Sequence, residues 1–383
     1  METFGKKVSN FLRHLIWYAD YGVFLLVNPF KFKKMPQSFK SILVVDLLYI
    51  GDVIVTTPAI RALRQKFPDA KITMMLVPSM VDVISGNPNV DNIISYSKDD
   101  FNYKFQRIAD SLKGKYDLAI ILHPGIEIGS YKVSKLLYKA KIPFRIGCTK
   151  VGFREGRGYF LHRKIKPTFK RKHKINDNLD VVKILGVTTD DKHLEIYTTP
   201  GADEYVARLL KKSKIHPNDF LVVIHAAAKH KTHYWLDDRF AKVADTLIDK
   251  YRARVVFTGS IEDFVFNNHI IQMMKHSAVN LAGLTDIKQL FSLVKRANLV
   301  VSVDTGTMHV AAALERPVVA LFGAGDPRDW VPYSPQGNAR YIYKKKEACT
   351  SCRKYECKRN DMECMKAIAI DDVLGKVEDL LKK

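Results

Sequence analysis

Short unbroken apolar runs alternate along this chain with stretches whose apolar positions recur at helical spacing, and that alternation sets the predicted elements. In the first half, buried-type strands are predicted at 41–46, 72–77, 91–96 and 116–122. Helices are predicted at 53–66, with Pro58 early in it and Pro68 closing it, and at 101–113, 130–140 and 176–185. Residues 186–217 carry only a weak pattern and read as a link. The second half repeats the plan. Strands are predicted at 220–224, 254–259, 299–301 and 317–323, and helices at 237–251, 262–275, 286–297, 308–314 and 371–381. Strands alternating with helices imply βαβ units and parallel sheets, here two Rossmann-like halves with a cleft between them.

Two places in that pattern break sharply from strand to helix. The apolar approach Leu299-Val300-Val301 ends at Asp304-Thr305-Gly306, and the small and apolar residues of a helix follow. The strand at 41–46 likewise gives way to Gly51-Asp52 and a helix. Such a joint leaves backbone N–H groups unpaired at the helix start, and with the helix dipole they suit a phosphate. Thr305 can also cap the helix with its hydroxyl. An ordinary strand-cap-helix joint accounts for either place alone. A carboxylate at one joint and a phosphate-binding helix start at the other together suit group transfer from a nucleotide-activated donor.

Length and charge narrow this further. The chain has 383 residues, enough for two cores, and its 47% apolar content is that of a folded protein. A formal net charge of +22 asks for an anionic partner. Much of it is local: residues 131–174 hold fifteen Lys or Arg and one acid, Glu155. That stretch reads as a cationic patch on the first domain, with a solvated face as the plainer alternative. No nucleic acid is expected, because neither an aromatic-interleaved RNA motif nor a recognition-helix pattern accompanies the charge. Near the N-terminus an apolar and aromatic stretch, Phe11 to Val27, is flanked by lysines and interrupted by Arg13, His14 and Asp20. It is too broken for a membrane span and lacks a signal-peptide cleavage site, so it reads as a helix lying on an acidic membrane surface or packed on the protein itself.

The motifs around the two joints resemble a known family. Ile42 to Asp46, Gly51-Asp52-Val53, Thr57-Pro58-Ala59-Ile60-Arg61-Ala62-Leu63 and Pro68 to Ile72 look like the opening of the family-9 glycosyltransferases, the lipopolysaccharide heptosyltransferases. Asp304 to Ala313, Pro317 to Gly323, Asp326-Pro327 and Trp330-Val331-Pro332 look like the same family's second signature. Two motifs in order, one per half, are far more specific than either alone. The resemblance implies an α/β protein of the GT-B fold, with two Rossmann-like domains facing a cleft. It also implies an ADP-heptose donor, inversion at the anomeric carbon and no metal in the chemistry. By residue, it places the catalytic base at Asp52 and donor contacts at Asp304, Thr305, Gly306, Met308 and His309. Glu262 resembles the acidic residue near the nucleotide ribose. The acceptor would then be an anionic lipopolysaccharide core, met by Gly51 and by Arg154, Arg157 and Arg163 of the basic stretch. Taken alone, Asp52 also fits a helix N-cap and His309 a core histidine.

One departure concerns the loop after the second half's first strand, where the family shows a lysine before Trp-Pro. Here Trp235 aligns, Leu236 replaces the proline, and His233 stands at the lysine's place; Lys231 and Lys229 are the other candidates for the donor phosphates. The spacing Cys349-x2-Cys352-x4-Cys357-x6-Cys364 suits one tetrahedral zinc or iron ion, or reduced or disulfide-linked structural cysteines. It does not read as a secreted disulfide framework.

The expected organisation is an amphipathic membrane-surface segment at 1–36, an acceptor-binding domain at 37–195, a nucleotide-sugar-binding domain at 196–345, and a Cys-rich segment with a closing helix at 346–383. The expected setting is the cytoplasmic face of the inner membrane. Two rivals stand beside this reading: ADP-heptose used on a protein hydroxyl, and a non-catalytic sugar-nucleotide-binding module.

Overall fold

Every strand pairing among the described residues is parallel, so each strand must be reached by a crossover, and helices supply most of them. A computed structural model describes residues 34–123, 128–148, 160–165, 172–344, 356–357 and 359–382. Of the segment 1–36 expected at the membrane surface, residues 1–33 lie outside the described residues.

The first sheet comprises β1 (Ser41–Asp46), β2 (Lys71–Leu76), β3 (Asn92–Ser95), β4 (Leu118–His123), β5 (Phe144–Cys148) and β6 (Arg163–Ile165), in the order β3-β2-β1-β4-β5-β6. The second comprises β7 (Leu221–His225), β8 (Arg254–Phe257), β9 (Val279–Asn280), β10 (Leu299–Val303), β11 (Val318–Phe322) and β12 (Ala339–Tyr343), in the order β12-β11-β10-β7-β8-β9. Read from its own first strand, each sheet has the Rossmann order 3-2-1-4-5-6. Its topological switch point falls between β1 and β4 in the first and between β7 and β10 in the second. The chain divides into two compact units around these sheets. Of its described residues, Asp82–Asn87, Lys172–Lys174 and everything from Asp191 onward belong to the second unit, and the rest to the first.

The helix Ile50–Lys66 explains why the first signature is so apolar: residues 51 to 63 are buried on every side. Pro58 inside it has no N–H for the Ile54 carbonyl. Thr57 Oγ1 donates to that oxygen instead, at 2.8 Å, and Asn178 Nδ2 donates to the neighbouring Val55 carbonyl at 3.1 Å. In the second unit the helix Ile370–Leu381 buries Val373, Val377 and Leu380 against β11 and β12, in one core with Trp235 and Phe240. Lys288 fixes Asp82–Asn87 to this unit by donating to the backbone oxygens of Ser85 and Tyr197 at 2.6 and 2.7 Å. Burial holds its ammonium below the ordinary lysine value.

Several expectations need correction. A helix, Pro200–Lys212, lies within what reads as a link; Thr199 caps it and Ala202, Val206 and Leu210 form its narrow buried stripe. The helix expected at 101–113 is two, Lys98–Tyr103 and Phe105–Leu112, broken at Lys104. The strands β5, β6, β9 and β12 escape the apolar pattern because they are short or lie toward the sheet edges, where burial is partial. The helix after β1 begins at Ile50 rather than Val53, which moves Gly51 and Asp52 from the turn into the first helical turn.

Candidate functional site

At the first switch point, β1 ends in Asp46, whose side chain is fully buried. The register shifts between Val45 and Asp46, bringing Asp46 opposite His123 at the end of β4. His123 Nδ1 lies 3.1 Å from Asp46 Oδ2, and the Leu48 N–H reaches Oδ1 at 3.3 Å. Tyr49 precedes the helix as its N-cap, so Asp52 is not the cap. It is the third helical residue, 8% exposed, and its Oδ2 accepts from the Tyr49 N–H at 3.3 Å. A carboxylate in the first helical turn is favoured by the dipole. Gly51 is buried beside it.

The described basic residues of 131–174 are not all on the surface. Arg145 is buried, donating to the carbonyls of Phe160 and Ile142 and lying over the Tyr138 ring, and burial lowers its guanidinium to about 10. That one cation is a brace of the first unit, not part of a patch. Arg163 is exposed on the edge strand β6, in register with Ile146. Arg154 and Arg157 lie outside the described residues.

The second switch point is built differently. After β10, Thr305 is extended and stands at the N-cap of the helix Gly306–Ala313, but its hydroxyl does not cap. It lies 3.2 Å from Ser302 Oγ instead, correcting the expected capping bond and leaving the first N–H groups of the helix without that side-chain partner. Asp304 Oδ2 lies 3.4 Å from His233 Nδ1, a close approach rather than an aligned hydrogen bond. His233 is thus the member of the Lys229, Lys231, His233 group that pairs with Asp304, while Lys229 and Lys231 are exposed.

Thr307, Met308 and His309 are buried in the first turns of this helix. The His309 ring stands edge-on to Trp330, 6.0 Å between centroids, and Lys174 lies over the same indole at 5.7 Å. Burial, with a smaller push from His173, lowers His309 to about 3. His225, at the end of β7 in register with Ser302, is lowered to about 4 by burial, against an opposing Asp263. The Nδ1 atoms of His225, His233 and His309 are all buried without a hydrogen-bond partner among the described residues. Gly325, after β11, packs so tightly on Asp304 that a Cβ there would overlap its carboxylate. Glu262 is exposed in the turn Ile261–Asp263 after β8, its carboxyl lowered mainly by its own backbone N–H.

The sequence reading missed His225, Gly325 and the Asp46–His123 pair. A usable signal was present: Asp46, His123 and His225 are the polar residues that close otherwise apolar strands. Of the four C-terminal cysteines, Cys349 and Cys352 lie outside the described residues. Cys364 is buried in the second unit's core, and the Cys357 thiol is lowered, chiefly by the Met362 N–H. Among the described residues no three His, Cys, Asp or Glu are grouped to hold a metal ion. Nor is any helix among them long and apolar enough to cross a membrane.

Residues 105–363 match the family described as Glycosyltransferase family 9 (heptosyltransferase). The chain is 27% identical over 347 residues to Lipopolysaccharide heptosyltransferase 3 of Escherichia coli K12, covering 87% of this chain and 96% of that one. A solved glycosyl transferase family 9 structure from Veillonella parvula superposes with a TM-score of 0.76 at 25% identity, covering 91% and 99% of the two chains. E. coli ADP-heptose lps heptosyltransferase II shares the fold, with a TM-score of 0.72 at 23% identity over 89% of this chain and 98% of that one.

Proposed function

The chain belongs to glycosyltransferase family 9, the heptosyltransferases, and from that premise we propose that it moves a heptose from ADP-heptose to a hydroxyl of the lipopolysaccharide inner core. The names of its relatives, lipopolysaccharide heptosyltransferases and a core heptosyltransferase, support the donor sugar and the acceptor. One observation carries the reading. A helix start at the switch point of a Rossmann-ordered sheet, inside the segment matched by the family, carries or adjoins the buried Nδ1 atoms of His309 and His225, which have no hydrogen-bond partner among the described residues. Buried polar atoms of that kind point to a ligand that satisfies them.

In the proposed mechanism the second unit holds the donor. Backbone N–H groups of the Gly306 helix receive the diphosphate, His233 adds a nearby donor, and Asp304, His309 and Glu262 meet the sugars. The first unit receives the acceptor. Asp52 takes the proton of the attacking hydroxyl as its oxygen bonds to the anomeric carbon from the opposite face. The bond from that carbon to the phosphate oxygen breaks, and ADP leaves with the electron pair. The configuration therefore inverts, and the chemistry is proposed to run without a metal. Arg163, with Arg154 and Arg157, is assigned to the acceptor's anionic groups. The segment 1–36 is assigned to the inner membrane surface, and the four cysteines to a structural zinc or iron ion.

Incubation of the purified protein with ADP-heptose and lipopolysaccharide inner-core acceptors, read by mass spectrometry, tests this. One heptose added to the core is the expected product. A core left unmodified while ADP-heptose is consumed on a protein hydroxyl, or not at all, overturns it.

A further inference from the structure

The loop that follows β11 is held by a residue outside both signature motifs. Gly323 comes directly after the strand, and there is no room beside it. A side chain begun there would overlap Met365 and lie 3.0 Å from the Thr232 carbonyl oxygen. Gly323 is not in the left-handed region, so its backbone does not ask for glycine; the close approach of Met365 does. Met365 is fully buried in the short helix Glu363–Lys366.

Two residues on, Gly325 packs against the Asp304 carboxylate in the same way. The loop Gly323–Gly325 is therefore a spacer with Met365 at one end and Asp304 at the other. The second neighbour of Gly323 leads to the same place. Thr232 lies in the turn Lys231–His233, and His233 Nδ1 approaches Asp304 Oδ2 to 3.4 Å. Further bonds fix the methionine's own segment. Trp235 Nε1 donates to the Ile368 carbonyl at 3.1 Å, and Arg239 Nη1 donates to the Lys366 carbonyl at 2.6 Å and to that of Ile368. A close-packed interior has low compressibility, so a change of volume at Met365 is passed on to what leans against it.

We propose that Met365 is a positioning residue for the donor. Through Gly323–Gly325 and the turn Lys231–His233 it sets where the Asp304 carboxylate and the His233 ring stand, without touching substrate itself. This rests on the second unit holding the donor, as proposed above.

Volume can be removed on one side of the contact and added on the other. Met365→Ala empties the space against which Gly323 packs, and Gly323→Ala puts a methyl group into the space that Met365 fills. Each alone should raise the Kd for ADP-heptose in calorimetry roughly tenfold, as when one charged contact is displaced. With both substitutions in one chain the new methyl group takes up part of the vacated space. The Kd should then return to within about threefold of the unaltered protein, a coupling that independent sites do not show. Met365→Leu keeps the volume and should also stay within about threefold. The KM for an inner-core acceptor should not move in any of these variants, while the donor KM follows the Kd.

A methionine that serves the core alone predicts a lowered thermal midpoint for Met365→Ala with the Kd of the folded protein unmoved, or two losses that simply add in the double variant. Either result overturns the proposal. Gly323→Ala removes nothing from the core, so an unmoved Kd in that variant overturns it even where Met365→Ala fails to fold. If the unaltered protein binds no ADP-heptose, the parent reading fails and this one with it, whereas binding that all the variants leave unmoved overturns this one alone.

Discussion

The two sheets share one strand order and each has one switch point, yet the polar groups gathered there are in opposite states. Between β1 and β4, Asp46 and His123 bond to each other and Asp52 accepts from the backbone beside it. Between β7 and β10, three imidazole nitrogens are buried with no hydrogen-bond partner among the described residues, and the Gly306 helix begins without a side-chain cap. The first edge is satisfied by its own residues. The second keeps buried nitrogens that lack such a bond among the described residues. Duplicated topology therefore says where ligands can bind, and the residues that close the strands say which kind. A self-paired edge with carboxylates suits a neutral hydroxyl nucleophile, and an edge of unpaired donors and imidazoles suits a nucleotide sugar.

The largest effect that can break this division is at Asp52. Asp52→Asn should lower turnover by ~10²–10⁴ with ADP affinity nearly unchanged, because a base in the proposed role acts on the acceptor and not on the donor. Turnover close to that of the unaltered protein would remove Asp52 from the chemistry and leave it a first-turn carboxylate. On the other side, Gly325→Val should drive the Asp304 carboxylate off its position. Calorimetry is expected to register a loss of ADP-heptose affinity of roughly ten- to a hundredfold, as when one charge-assisted contact is lost. An unaltered affinity would move the donor away from Asp304.

A smaller effect sharpens the contrast through pH. His309, buried and held down to about 3, binds its proton later on acidification than the same residue in the unfolded chain, whose ordinary value is 6.5. Its contribution to stability is complete above about pH 6.5 and is lost as the pH falls from there toward the folded value, at up to ~1.4 kcal/mol per pH unit. Chemical denaturation at a series of pH values should show that slope, and His309→Gln should flatten it. A slope identical in the two proteins would mean that the ring titrates normally in the folded state. The smallest effect concerns salt. Raising it should increase the acceptor KM several-fold and the donor KM hardly at all, since exposed cations such as Arg163 are screened over ~8–10 Å. An acceptor KM indifferent to salt would leave the basic residues of 131–174 without a role in acceptor capture.

How far these features were legible in the sequence follows from how each is held. The strands β1, β4, β10 and β11 read plainly because both faces are buried and their runs are unbroken. The edge strands β6, β9 and β12 did not, since partial burial leaves mixed patterns. The helix Pro200–Lys212 was lost because only three of its thirteen residues are buried. Among the site residues, Asp304 and Gly306 stand out by motif, whereas Gly325 matters only through its closeness to Asp304, which no local spacing encodes. Asp46 and His123 lie 77 positions apart and meet only because β1 and β4 are neighbours. Arg145 shows the converse: composition counts it among a basic patch, and the fold buries it.

The division of labour between the two switch points is most directly tested by imidazole nitrogen NMR on protein labelled at histidine, titrated first with ADP-heptose and then with an inner-core acceptor fragment. The account predicts that the donor shifts His225, His233 and His309 in the second unit, while His123 at the first switch point stays still. A donor that shifts His123 and leaves the three histidines of the second unit unmoved would contradict it.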